Sequence, residues 1–433
     1  MLNPKIVELP NRSTLFYCQS SQFKTALFRI LVPYGGPWRS IRSMAALHYV
    51  MARSTEKYPT TQALNRKKDD LYAVSVSPTH MTFGTFRLTG YTAAMLNSHC
   101  VPDGTDVLAG TLDVLDQIMH HPKRDARGLL QEAYVQQTLT DMHISYQGVA
   151  SQPSSLVRER FWSRILKDNP YHIMGKYLDY AGELLKTDAS ELTGFMKENV
   201  GVRPEIYAYY GSASEEEVTE RILSTMPSPD GPDNLDLFPD LRVIHTVPEP
   251  EQVTESSEFG QSQLLFGYTF EPELTGGDRA AVLMLDSILG GSPVSKLFTE
   301  VRERSGLCYD IGTSLLPSNN ILIVGCGLSA GDIGAAEQGI REQIEKTASG
   351  EISEAELVSA KESLCFDLMA HYDSPDRYLD YQLYRFLGDP IPDIPEMIRA
   401  ISQTTQDDVA AMARRIRPRL YYRLVGKKGG DAE

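Results

Sequence analysis

An α+β protein built from two similar halves is what this chain of 433 residues predicts. Strand-like runs come in series and are followed by runs of helices, an order that favours α+β over a doubly wound sheet, where the two alternate. The same order then appears a second time. Between the two copies lies PSPDGPDNLDLFPDLRVIHTVPEPEQ, residues 227–252, rich in Pro and Asp and without a sustained period, which reads as an extended linker. The expected organisation is an N-terminal domain over 1–226, the linker, and a C-terminal domain over 253–433.

In the first half, TLFYCQS and TALFRILVPYG read as strands, because β-branched and aromatic residues dominate them. A helix follows over 41–54, then a second in PTTQALNRKKDDLYA, and strands return in VSVSPTHMTFGTFRLTGY. Helical periods run over 105–121, 127–142 and 153–167. Another helix covers DASELTGFMKENV, with Asp188 or Ser190 as its N-cap, and RPEIYAYYG closes the half as a strand.

Downstream, SQLLFGYTF is a strand, GGDRAAVLMLDSILGG and SKLFTEVRERSG are helices, and YDIGTSLLPSNNILIVGCGLSA holds two strands before further helices. TTQDDVAAMARRI and the strand RPRLYYRLVG end the chain's pattern. Arg203-Pro204 and Arg417-Pro418 are 214 residues apart (417 minus 203), and each pair stands between a helix and an aromatic strand. That repeat points to duplication.

Composition narrows the function classes. A formal net charge of -15 argues against a nucleic-acid backbone as partner, since binding one needs clustered Lys and Arg, and it favours basic peptides. The longest apolar runs are interrupted within about ten residues, too short to span a bilayer. The opening MLNPKIVELPNRS has no basic stretch followed by an apolar one, so a soluble, cytoplasmic protein is expected, with no membrane partner. The five cysteines contain no CxxC pair, which fits reduced thiols rather than disulfides or a sulfur-ligated metal.

GGSPVSKLFTEVRERSGLCYDIG, residues 290–312, combines a Gly-rich turn, Ser, Leu-Phe, Val-Arg and Gly-Leu-x-Tyr. In this it resembles the second-half signature of the insulinase or pitrilysin-type metallopeptidases, especially the half-clamshell members that work in pairs, like the mitochondrial processing peptidase. YPTTQALNRKKDDLYA and NPYHIMGKYLD place it nearest the inactive bacterial members with a degenerate first half. Nearly the whole chain is covered. The resemblance implies two homologous αβ domains, and that branch would further imply a link to elongation factor P modification.

Active members carry H-x-x-E-H on the first helix of the first half. Two imidazoles one turn apart then reach one Zn²⁺, the Glu activates the bound water, and a distal Glu completes the ligand set. Here that helix offers only His48, in AALHYVMARST. With His48 as the first His, the Glu and second His fall on Met51 and Ala52; with His48 as the second, the first His and the Glu fall on Met44 and Leu47. Residues 136–140 are Gln, Gln, Thr, Leu and Thr, and Glu132 is the one carboxylate near the place of the distal ligand. The site is expected to be emptied, with no metal bound by this chain. His48 is expected to be a core residue hydrogen-bonded to one backbone group.

His120-His121 is expected at an exposed helix end, since adjacent helical residues point in different directions. Gly290, Gly291 and Ser292 are expected to form a tight turn before the helix from Ser295, and no Walker ending follows them.

The resemblance assigns Arg302 and Tyr309 to the pair that reaches the substrate backbone beside the zinc. A guanidinium offers fixed donors to a peptide carbonyl, and a phenol can donate to the oxyanion. The acids near Arg302, Glu300 and Glu303, lie at spacings that do not face it on an α-helix, and the facing positions are Phe298 and Thr299. The expectation is a non-catalytic subunit with substrate-binding Arg302 and Tyr309, a zinc-bearing homologous partner and a peptide substrate, with homodimer formation in the partner's absence left open by the sequence. A scaffold of the same fold without a part in proteolysis is the alternative. No GxSxG elbow or nucleophilic Cys motif supports another chemistry.

Overall fold

The structure, a computed structural model, describes residues 2, 4–34, 38–83, 86–167, 174–229, 231, 249–387 and 391–427. Most of the linker expected at 227–252 therefore lies outside the described residues. The first half runs β1 (Lys5–Glu8), β2 (Thr14–Gln19), β3 (Thr25–Tyr34), α1 (Trp38–Met51), α2 (Thr61–Asp70), β4 (Ser75–Phe83) and β5 (Phe86–Leu96). It continues through α3 (Val107–His120), α4 (Glu132–Gln147), α5 (Pro153–Ile165), α6 (Tyr177–Leu184), α7 (Ala189–Asn199), β6 (Ile206–Gly211) and α8 (Glu215–Thr225). Asp188 caps α7 by accepting from the Glu191 N–H at 2.9 Å, as its sequence suggested.

The second half runs β7 (Glu251–Ser256), β8 (Ser262–Phe270) and α9 (Arg279–Asp286), then two π-helical segments, Ser287–Gly291 and Leu297–Arg304. β9 (Asp310–Leu316), β10 (Ile321–Leu328), α10 (Ile333–Ser349), α11 (Glu354–Met369), α12 (Pro375–Leu387), α13 (Ile394–Gln403), α14 (Gln406–Ala413) and β11 (Ile416–Val425) complete it. Gly350, at φ 91°, ends α10 in the left-handed conformation, and a Ser353–Glu356 capping box starts α11 three residues later.

The two sheets repeat one topology, and the protein is α+β. The first is ordered β1-β2-β6-β3-β5-β4 and the second β7-β11-β8-β10-β9. In each, the strand that closes the half pairs in parallel with an early strand of that half, β6 with β2 and β11 with β7, while the other pairs are antiparallel. Removing β1 leaves two five-stranded sheets that match strand for strand in chain order.

The compact units do not run straight along the chain. One comprises 1–146, 179–240 and 374–387, and the other 147–178, 241–373 and 388–433. Compared with a division at 226 and 253, two segments have changed places: α5 packs on the second sheet and α12 on the first. The packing chemistry explains both. Leu156, Val157, Phe161 and Trp162 of α5 form one cluster with Ile321, Ile323, Leu420, Tyr422 and Leu424. α5 lies so close to the sheet that a Cβ at Gly267 would meet the Phe161 ring at 2.7 Å. On the first sheet, Tyr378 and Phe386 of α12 meet the rings of Tyr210 and Phe16 at 6.0 and 5.4 Å between centroids. Arg29 of β3, 2% exposed, donates to Asp380 and Asp376 of the same helix at 2.6 Å each.

Candidate functional site

In the first unit, α1 brings His48 under the sheet, where it is fully buried among Met44, Leu47 and Met51. Its placement in the core agrees with the sequence, but its bonding does not. Neither ring nitrogen has a hydrogen-bond partner among the described residues. The backbone polar contact runs the other way: the Tyr91 hydroxyl donates to the His48 carbonyl at 2.7 Å. The ring itself is boxed by Tyr91, edge-on at 5.2 Å, and by His80 of β4 at 5.8 Å. Burial, reinforced by the neighbouring His80 imidazole, pushes His48 down to about 3, so it is neutral at ordinary pH.

The residues around His48 do not fit the zinc that the resemblance implies. Two imidazoles meet here, and the sequence reading missed His80, which a 32-residue separation (80 minus 48) hides from any helical spacing. Zinc needs a third protein ligand, and hydrolysis needs a base. Among the described residues, no group of three or more His, Cys, Asp or Glu is placed to hold a metal ion. Glu132 is occupied elsewhere: its carboxylate accepts from the Gln136 amide at 2.8 Å and from the Ala189 N–H at the start of α7 at 3.4 Å.

His120 corrects the expectation of an exposed helix end. His121 is exposed, but the His120 side chain is only 8% exposed. In the last turn of α3 its Nδ1 bonds Asp116 at 2.9 Å and its Nε2 bonds Glu205, just ahead of β6, at 2.8 Å. The Tyr207 hydroxyl donates to the second oxygen of Glu205 at 2.6 Å. Burial opposes the imidazolium, but Glu205 and Asp116 outweigh it and raise His120 to about 9. A folded value above the unfolded one stabilises fully below about pH 6.5 and is lost as pH rises through 9. Urea unfolding is therefore expected to show a loss of about 3 kcal/mol between pH 6.5 and 9.5, abolished in His120→Gln.

In the second unit, Gly290 and Gly291 end the first π-helical segment instead of forming a separate turn. Space decides it: a Cβ at Gly290 would lie 2.6 Å from Thr313 Cγ2 and 3.0 Å from the Thr313 nitrogen of β9, and one at Gly291 would meet Asp286 at 3.0 Å. The segment is thereby pressed onto β9, and the second π-helical segment presents Arg302 near its C-terminus.

Arg302 is half-buried and stacks on Phe298 at 4.4 Å from the ring centroid. Its ion pair with Glu303 spans 3.8 Å, a contact between adjacent residues that the expectation from facing positions left out. Tyr309 immediately precedes the edge strand β9: its N–H donates to the Gly327 carbonyl at 2.8 Å, and the residue is 64% exposed. The hydroxyl meets the Ser329 hydroxyl at 3.2 Å. Between the two, Cys308 is buried and close enough to Arg302 for the guanidinium to temper the rise that burial imposes on its thiol. The arrangement leaves a cation held flat on a ring and a solvent-facing phenol.

Residues 206–364 match the Peptidase M16 inactive domain. Across nearly its whole length the chain is similar to M16-type peptidases and their inactive relatives. It is 22% identical over 426 residues to the "Probable inactive metalloprotease YmfF" of Bacillus subtilis (strain 168), spanning 96% of this chain and 97% of that one. In fold, the chain is similar to a conserved protein from Enterococcus faecalis V583, with TM-score 0.87 at 19% identity over 99% and 100% of the two chains. It also resembles a peptidase M16 inactive domain from Pseudomonas fluorescens, with TM-score 0.75 at 14% identity over 98% and 99%. These likenesses agree with the insulinase-type expectation. No helix among the described residues is long and apolar enough to cross a membrane.

Proposed function

We propose that this chain is a cytoplasmic, non-catalytic subunit of a heteromeric zinc peptidase, pairing with a zinc-bearing relative and contacting its peptide substrate through Arg302 and Tyr309. The observation that carries the reading is an asymmetry between the units. The helix that would hold zinc has an apolar residue wherever a second ligand or base is required. The other unit keeps the two donors, with Tyr309 turned to solvent and Arg302 in one long ion pair. Edge strands support peptide as the substrate class: β4 and β9 end their sheets, and an extended chain can add to such an edge by main-chain bonds.

Affinity capture of the full chain from cells that express it naturally tests the pairing. A stoichiometric partner carrying H-x-x-E-H and one zinc is expected. Capture of the chain alone, or only as a homodimer, favours the scaffold reading.

A further inference from the structure

Helix α11 has two apolar faces. Leu357, Ala360, Leu364 and Leu368 recur at i, i+3, i+7 and i+11, and three of them, Leu357, Ala360 and Leu368, are buried at 6, 3 and 8% exposure. Rotated away from them are Val358, Cys365, Phe366 and Met369, at i, i+7, i+8 and i+11. Val358, Phe366 and Met369 are 42, 74 and 53% exposed, and Cys365 is half-buried. A surface helix ordinarily shows one apolar stripe and a polar remainder. Here the second stripe is about 16 Å long, three turns at 1.5 Å per residue.

Its charges are of one sign. Glu354, Val358, Glu362 and Phe366 form a single i, i+4 ridge, and both glutamates are exposed. Lys361, the one basic residue of the helix, donates its Nζ to the Ser402 carbonyl at 2.8 Å and so leans away from the ridge. We infer that this face docks an amphipathic helix of a different protein, one whose apolar stripe is flanked by Lys or Arg spaced two turns apart to meet Glu354 and Glu362. A second copy fits poorly, because a two-fold pairing centred on the stripe sets Glu362 against Glu362 in a chain of net charge -15. An anionic membrane surface would repel the same ridge. Methionine and cysteine beside an exposed Phe give an adaptable apolar surface suited to a helix partner.

The surface is independent of whether Arg302 and Tyr309 serve a peptidase. The probe is a synthetic amphipathic helical peptide with Leu at i, i+3, i+4 and i+7 and Lys on the flanks, set against an analogue with Glu for every Lys. The full-length chain is used in a Cys100→Ser background; Cys18, Cys308 and Cys326 are buried, so maleimide reports on Cys365. The Lys peptide is expected to bind saturably, to weaken with salt, and to slow alkylation of Cys365. Phe366→Ser with Met369→Ser should lower its affinity about tenfold or more, and Glu354→Lys with Glu362→Lys should reverse the preference between the two peptides. These residues are exposed, so an unchanged thermal melt is expected and shows that the variants fold. Unchanged alkylation, equal binding of the Glu peptide, or a double variant with full affinity would each overturn the inference. So would sedimentation showing a homodimer that the Phe366 and Met369 substitutions dissolve.

Discussion

Replacing Asp376 and Asp380 together by Ala is expected to destabilise the protein by about 3 to 5 kcal/mol, whereas Arg29→Met should cost about 1 kcal/mol or less. The asymmetry comes from burial. Arg29 is 2% exposed in side chain, while the two carboxylates are 58 and 47% exposed. Removing the carboxylates strands a guanidinium in the sheet; removing the guanidinium returns two carboxylates to water and fills its channel with an apolar chain of similar length. Because both acids sit on α12, the pair also fixes a second-half helix to the first-half sheet. Urea unfolding of the two variants decides the point. A costlier Arg29→Met would show that the ion pair is a net source of stability and that the buried charge is well solvated without it.

The second large effect is acid sensitivity through His48. Its folded value of about 3 lies below the unfolded value of 6.5, so its contribution is complete above pH 6.5 and is lost as pH falls toward 3. The full loss is on the order of 4 to 5 kcal/mol, and about 2 kcal/mol of it falls between pH 6.5 and 5. His48→Leu should remove that part of the slope, and at pH 7 it should be at least as stable, since it deletes two buried ring nitrogens that no described residue satisfies. Parallel stability curves for wild type and variant between pH 6.5 and 5 would mean that water reaches the ring. Together with His120, whose contribution disappears on the alkaline side, the protein should be most stable near pH 6.5 to 7.

Much of the architecture is legible in the sequence because it is local. Alternating and continuous apolar runs mark β2, β3, β8 and β11, and Asp188 marks the start of α7. The Arg-Pro repeat anticipates the duplicated sheet order. What escapes is long-range. Periodicity says that α5 has an apolar face but not which sheet it covers, so the exchange of 147–178 and 374–387 is invisible in the linear pattern. α6 and α8 are absent from the sequence expectation although each carries an apolar face, Tyr180, Ala181 and Leu184 in the first and Val218 and Ile222 in the second. His120 reads as an exposed end because the residue that buries it with Asp116, Glu205, is 85 positions away. Arg302 and Tyr309 are legible only through a signature, since a lone Arg and a lone Tyr carry no spacing that distinguishes a site from packing. Even there, the π-helical form of the segment that carries Arg302 has no sequence mark.

The central claim is that a chain without its own zinc site lends two donors to a relative that has one. The direct measurement is peptidase kinetics of the complex rebuilt from the zinc-bearing partner and this chain as wild type, Arg302→Ala or Tyr309→Phe, with zinc content and assembly monitored in each. Tyr309→Phe is expected to lower kcat by about a hundredfold, the size of effect seen when one oxyanion donor is lost, because its bond strengthens as charge develops. Arg302→Ala is expected to lower kcat/KM chiefly through a raised KM, as peptide anchoring weakens. Zinc and assembly should be unchanged in both. Two variants that match wild type in kcat and KM within an intact, zinc-loaded complex would contradict the claim and leave the chain as a scaffold of the same fold.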